Sequence, residues 1–268
     1  MTRIPITMCH GLSSQGDFPL TADHLDQLVR IAHDLSFSSI NYDELAAWRS
    51  EGADLPARPI MFDFDHPTKS MREGVQEVLG RYGYSGNLFI NTERMDLESE
   101  GYGVTSMTWE EVGELMDLGW HIGAHTVTHP NFSALAAEDP DGEKVRWELA
   151  TCDATLGQHL GITPRDFAFT GTSWSSMAEK LVMERYRFGR LWIVGTHYQA
   201  DGAEIRYADL VGVGGEDEAD GGPPMNARYI TRDSHPYRLP SMEIQNKLMY
   251  SPESFRAYLQ GALQADGS

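Results

Sequence analysis

Short apolar runs alternate with amphipathic segments along almost the whole chain, and this alternation limits the fold more than any other feature. The apolar runs are "IPITMC" (4–9), "RPIMFDFD" (58–65), "NLFIN" (87–91), "WHIGAH" (120–125), "DFAFT" (166–170), "RLWIVG" (190–195) and "PYRLPSMEI" (236–244). Between them lie segments with helical periodicity. In "TADHLDQLVRIAHDL", Thr21 is placed to cap a helix whose Leu25, Leu28, Val29, Ala32 and Leu35 share one stripe. "TWEEVGELMDLG" opens with a capping box, Thr108 and Glu111, and stops at Gly119. Repeated strand-then-helix units predict a parallel sheet with helices outside. About seven units without a nucleotide-binding glycine fingerprint favour an α/β fold of one kind, a distorted (β/α) barrel of about seven parallel strands. Pro240 predicts that the last strand is an edge strand or bent.

A chain of 268 residues is long enough for one such barrel, and no linker divides it, so residues 1–268 are expected to form a single domain. The irregular piece is "VGVGGEDEADGGPPMN" (211–226), an acidic, Gly-rich stretch expected to be a long, mobile surface loop. Net charge is −19, from 40 acidic and 21 basic residues, which argues against nucleic-acid or anionic-membrane partners. The N-terminus has no apolar stretch of signal-peptide length, and the two cysteines, Cys9 and Cys152, imply no disulfide framework. The expected location is cytoplasmic.

Two stretches carry chemistry. In "PIMFDFDHPTKS", Asp63 and Asp65 are two apart on a strand and so point to the same face, where each raises the cost of ionising the other unless a cation lies near. In "HIGAHTVTHPNFS", His125 and His129 are four apart directly after a strand, close enough to converge on one ion. Both stretches lie at strand C-termini, the face on which parallel barrels build their active sites. Two histidines and a carboxylate leave one coordination position open, the pattern of a catalytic zinc. One aspartate would bind the ion and the other would take a proton from water.

These stretches and their neighbours resemble the polysaccharide deacetylases, carbohydrate esterase family 4, also called the NodB homology domain. The resemblance rests on "LPARPIMFDFDHP", "LFINTERM", "MTWEEVGELMDLGWHIGAHTVTHPNFSAL" and "GITPRDFAFTGTS", and runs from about Ile4 to Leu263. It implies a distorted barrel, a divalent metal (zinc first, with cobalt, nickel or manganese as alternatives) and hydrolysis of N-acetyl groups on aminosugars. Carried over by position, Asp63 matches the catalytic base, Asp65 the metal-binding aspartate, and His125 and His129 the metal-binding histidines. The family's late histidine, a general acid toward the leaving amine, has two candidates here, His235 in "RDSHPYRLP" and His197 in "IVGTHYQADG", with His235 preferred. His10 matches a histidine near the mouth that would contact substrate or rim. His66, next to the metal aspartate, is placed to reach the pocket, and Trp174 to line a sugar-binding groove.

The chain departs from the family pattern in three places. Phe64 separates two aspartates that are usually adjacent, Thr170 falls where the third motif has a proline, and that motif lacks an arginine. The separated pair resembles the branch that contains some peptidoglycan-deacetylase-like enzymes and cyclic-amide hydrolases related to allantoinase. The expectation is therefore a metal-dependent amide hydrolase acting on an aminosugar or small amide substrate. A cyclic amide or imide hydrolase is the alternative, and a catalytically silent carbohydrate-binding protein is the third possibility.

Overall fold

The fold was analysed in a computed structural model that describes residues 2–95 and 105–264. In chain order its strands are β1 (Ile4–Cys9), β2 (Ser38–Ser39), β3 (Pro59–Asp65), β4 (Asn87–Ile90), β5 (His121–Ala124), β6 (Asp166–Ala168), β7 (Ser173–Trp174), β8 (Phe188–Ile193), β9 (His197–Ala200), β10 (Ala203–Arg206), β11 (Tyr229–Ile230) and β12 (Leu239–Glu243). Seven of them, in the order β1–β12–β8–β6–β5–β4–β3, are all parallel, and β3 pairs back to β1 to close the barrel. The predicted fold class is thus observed. β2 extends the sheet beside β3, β11 pairs antiparallel with the start of β1, and β7, β9 and β10 form a separate small sheet.

The helices form as their caps predict. The Thr21 hydroxyl accepts the His24 backbone N–H, and Thr108 and Glu111 make a reciprocal capping box. Successive strand residues face opposite ways, so Ile60, Phe62 and Phe64 of β3 pack outward into the layer between barrel and helices. Met61, Asp63 and Asp65 point inward. The lower barrel is filled by Ile4, Ile6, Met61, Phe89, Ala168, Phe188 and Leu239. Gly123 is required here, because a Cβ at that position would lie 2.4 Å from the Phe89 ring.

The expectation for Pro240 is corrected. β12 is an interior strand, between β1 and β8, and Pro240 is buried within it. It is tolerated because β1 joins β12 only from Met242 onward, its first residues being paired with β11 instead. The missing Pro240 N–H therefore falls where no ladder toward β1 has begun. The 211–226 loop is tied to the body by two arginines. Arg206 pairs with Asp217 at 2.9 Å, and buried Arg228 makes a two-pronged contact with Asp220 at 2.8 Å on each side.

Candidate active site

Barrel closure brings the C-terminal ends of β1, β3, β5, β8 and β12 around one pocket of about 850 Å³. His10, Leu12, His66, Arg94, His129, Trp192 and Glu243 are among the residues that line it. His66 and His129 of this lining and the buried His125 behind them offer ring nitrogens that lie within 4.8 Å of one another. His66 directly follows β3, and His125 directly follows β5. His66, Thr126 and His129 all have positive φ, 67°, 71° and 61°. Such left-handed conformations cost non-glycine residues about 1–3 kcal/mol each and concentrate at functional sites.

Each imidazole is oriented by a contact on its other side. His66 Nδ1 lies 2.8 Å from Asn91 Oδ1, and His125 Nδ1 lies 2.9 Å from the Ala168 carbonyl oxygen. Both partners are acceptors, so each Nδ1 carries the hydrogen and each Nε2 presents a lone pair. His125 Nε2 is buried and has no hydrogen-bond partner among the described residues. Burial holds His66 and His125 well below the ordinary histidine range and lowers His129 to about 4, so all three are neutral at pH 7. Three neutral imidazoles around an unpartnered Nε2 fit a divalent cation.

Asp65 borders this cluster, its Oδ2 3.8 Å from His125 Nε2. Its Oδ1 accepts a close hydrogen bond from Arg190 Nη2. Arg190 comes from β8, is wholly buried, and lies with its guanidinium 4.9 Å from the centre of the Phe89 ring. It supplies from another strand the guanidinium that the third motif lacks. The position was legible only as a lone arginine inside the apolar run "RLWIVG".

Asp63 does not reach the pocket. It lies one layer lower, with Arg190 Nε 3.4 Å from Oδ2. The Tyr42 hydroxyl donates to Oδ2 at 2.7 Å, and the Asn87 side-chain amide donates to Oδ1 at 3.0 Å. Burial pushes its carboxyl up to about 7 against the pull of those three groups. The structure thus buries the residue expected to be the base beneath Arg190 and outside the pocket lining, because the two-residue spacing that gives Asp63 and Asp65 one face also puts them at different depths.

Three further candidates lie outside this pocket's lining. His235 precedes β12, whereas the pocket lies at the strand's far end beside Glu243, roughly 13 Å away for four residue steps along the strand. His197 is exposed at the start of β9 and is not part of the pocket lining. Trp174 is buried, donates its indole N–H to Glu179 at 2.9 Å and packs under the Arg238 guanidinium, so it is a core residue. His10 lines the pocket as expected, while His66 belongs to the imidazole cluster itself. Glu243, like Arg190 not singled out in the sequence, ends β12 in the pocket wall; burial raises its carboxyl to about 7. Its only signal was an acidic residue closing an apolar strand.

The His125–His129 loop is held from below by Glu148 of the helix Glu143–Leu160. Its Oε2 accepts the backbone N–H groups of Val127 and Thr128 at 2.8 and 3.0 Å, and its Oε1 accepts the Thr128 hydroxyl. Thr170 adds a hydroxyl donated to the Pro130 carbonyl. Glu148→Ala would strand buried donors, so we expect a stability loss of about 2–4 kcal/mol in urea titration. Zinc affinity should also fall by about 10- to 100-fold in a competition assay. Unchanged affinity would show that the loop holds its shape without Glu148.

A closed seven-stranded parallel barrel with a histidine cluster at its C-terminal mouth is a (β/α) barrel with a candidate metal centre. A polysaccharide deacetylase family profile matches residues 52–185, and the chain belongs to that family of hydrolytic deacetylases. Among solved structures it is similar to the Streptococcus pyogenes deacetylase PplD in complex with acetate (TM-score 0.69, 15% identity), covering 96% of this chain and 98% of that one. It is also similar to IcaB from Ammonifex degensii (TM-score 0.69, 14% identity), covering 97% and 98%. For the BpsB deacetylase domain from Bordetella bronchiseptica the TM-score is 0.65 at 16% identity, covering 90% and 96%. At these identities the likeness establishes the fold. No curated protein sequence matches the chain. Among the described residues no helix is long and apolar enough to cross a membrane.

Proposed function

We propose that this chain removes amide-linked acyl groups, acetyl first, from an aminosugar-containing substrate, with a divalent metal held by His66, His125 and His129 beside Asp65. The observation that carries this reading is the buried, partnerless His125 Nε2 in a cluster of neutral imidazoles opening on a pocket. Zinc is the first choice of ion for a nitrogen-rich donor set. When bound, such an ion supplies polarisation of the acyl group and activation of water.

The protein's own residues do the rest. Asn91 and the Ala168 carbonyl fix the tautomers of His66 and His125, and Arg190 anchors Asp65 at the cluster's edge. The pocket combines apolar walls from Leu12, Trp192 and Val194 with polar groups from His10, Arg94 and Gln245, a mixture suited to a sugar ring. The test is acetate release from N-acetylglucosamine oligomers by zinc-loaded protein, beside ring opening of small cyclic imides. Acetate release that chelator abolishes and zinc restores is the expected result. Ring opening without acetate release would overturn the deacetylase reading.

A further inference from the structure

One pair of titratable side chains in the pocket is not used by the imidazole cluster. His10, at the end of β1, has its Nδ1 3.6 Å from Glu243 Oε2. Its ring stacks on His66 with centroids 5.0 Å apart and meets the edge of Trp192 at 5.3 Å. Glu243 is itself fixed on both oxygens. Oε2 accepts the Trp192 indole N–H at 2.8 Å, and Oε1 accepts the Gln245 backbone N–H at 2.8 Å. The two strands are in register here, Met8 opposite Glu243, so the carboxylate meets the ring directly after β1. A carboxylate at Nδ1 sets the ring's orientation and leaves Nε2 on the far side.

The other titratable groups of the described pocket lining are His66, His129 and Arg94. The two histidines belong to the cluster, and an arginine does not give up its proton in this chemistry. Asp63 is sealed below Arg190, and Asp65 is tied to it. We propose that His10 is the proton donor to the leaving nitrogen and that Glu243 is the positioning residue that aims it. This assignment rests on the amide-hydrolase reading above. The water oxygen bonds to the acyl carbon, and both water hydrogens stay with that fragment. As the carbon–nitrogen bond breaks, its electron pair stays on nitrogen, which takes a proton from the His10 imidazolium. The acid product then loses one hydrogen as a proton, and this restores His10.

The experiment compares two substrates in zinc-loaded protein: an N-acetylglucosamine oligomer, whose amine must be protonated to leave, and 4-nitrophenyl acetate, whose phenolate leaves without a proton. For His10→Gln we expect kcat on the amide to fall about 10²- to 10³-fold. The ester rate should fall less than about fivefold, and zinc affinity measured by competition should stay within about threefold of the parent. Glu243→Gln should lower kcat on the amide about tenfold with KM little changed, as for a group acting through another. Equal loss on both substrates, or an unimpaired amide rate in His10→Gln, overturns the assignment alone. A parent that releases acetate from neither substrate overturns the deacetylase reading itself.

Discussion

Replacing Arg190 with methionine should lower the unfolding free energy by about 3–5 kcal/mol, the usual cost of removing one partner from a buried ion pair. Arg190 has no exposed surface and stands between two inward carboxylates, Asp63 and Asp65, with its plane over Phe89. Methionine keeps much of the volume but leaves both carboxylates in a water-poor barrel without a counter-charge. The measurement is a urea titration at pH 7. Adding Asp63→Asn and Asp65→Asn to Arg190→Met should recover part of the loss, since the uncompensated charges are then gone. A loss below about 1 kcal/mol for the single variant would mean that water reaches these carboxylates after all.

The second large effect concerns His125. His125→Ala should weaken zinc binding by more than about 100-fold, more than is typical for loss of an outer-shell partner. His235→Ala, at the other end of the barrel, should leave affinity unchanged. The same cluster predicts how the metal-free protein responds to acid. Burial holds the folded-state pKa of His66 and His125 well below 6.5, while the unfolded chain protonates its histidines near that value. The unfolded state therefore binds more protons, so stability is fully present above about pH 6.5 and is lost as pH falls below it, by up to about 1.4 kcal/mol per pH unit for each imidazole. Asp63 and Glu243, both raised to about 7, take up protons in the folded state over the same range and oppose this, so the imidazole contribution is read as a difference: lowering the pH from 7 to 5 in chelator should cost the parent more stability than His125→Ala. An equal response to pH in parent and variant would show that His125 is hydrated, and the buried cluster would have to be abandoned.

The barrel and the mouth chemistry differ in how far they could be read without coordinates. "HIGAHTVTHP" places two imidazoles on one loop by local spacing alone, and the structure keeps them together, with ring centroids 4.9 Å apart. Asp65 was likewise legible as the last inward residue of an apolar strand. Asp63 shares that face but lies deeper, since a period of two reports the face of a strand and says nothing of depth. His66 was placed near the pocket, but its share in the cluster depends on a backbone at φ 67° and on Asn91 from the neighbouring strand. Glu148 and Arg190, 20 and 125 residues from their partners, gave no local signal beyond a charge within an otherwise apolar pattern.

By itself the sequence determined the alternation of strand and helix, the inward and outward faces of each strand, and the histidines that a single loop can gather. Those properties follow from backbone periodicity and nearest-neighbour spacing, which are local. Only the tertiary structure decided which inward residues share a layer. Closing β3 onto β1 sets the stagger of all seven strands at once, and that stagger puts Arg190 between two aspartates, Glu243 beside His10, and His235 at the opposite end from the chemistry.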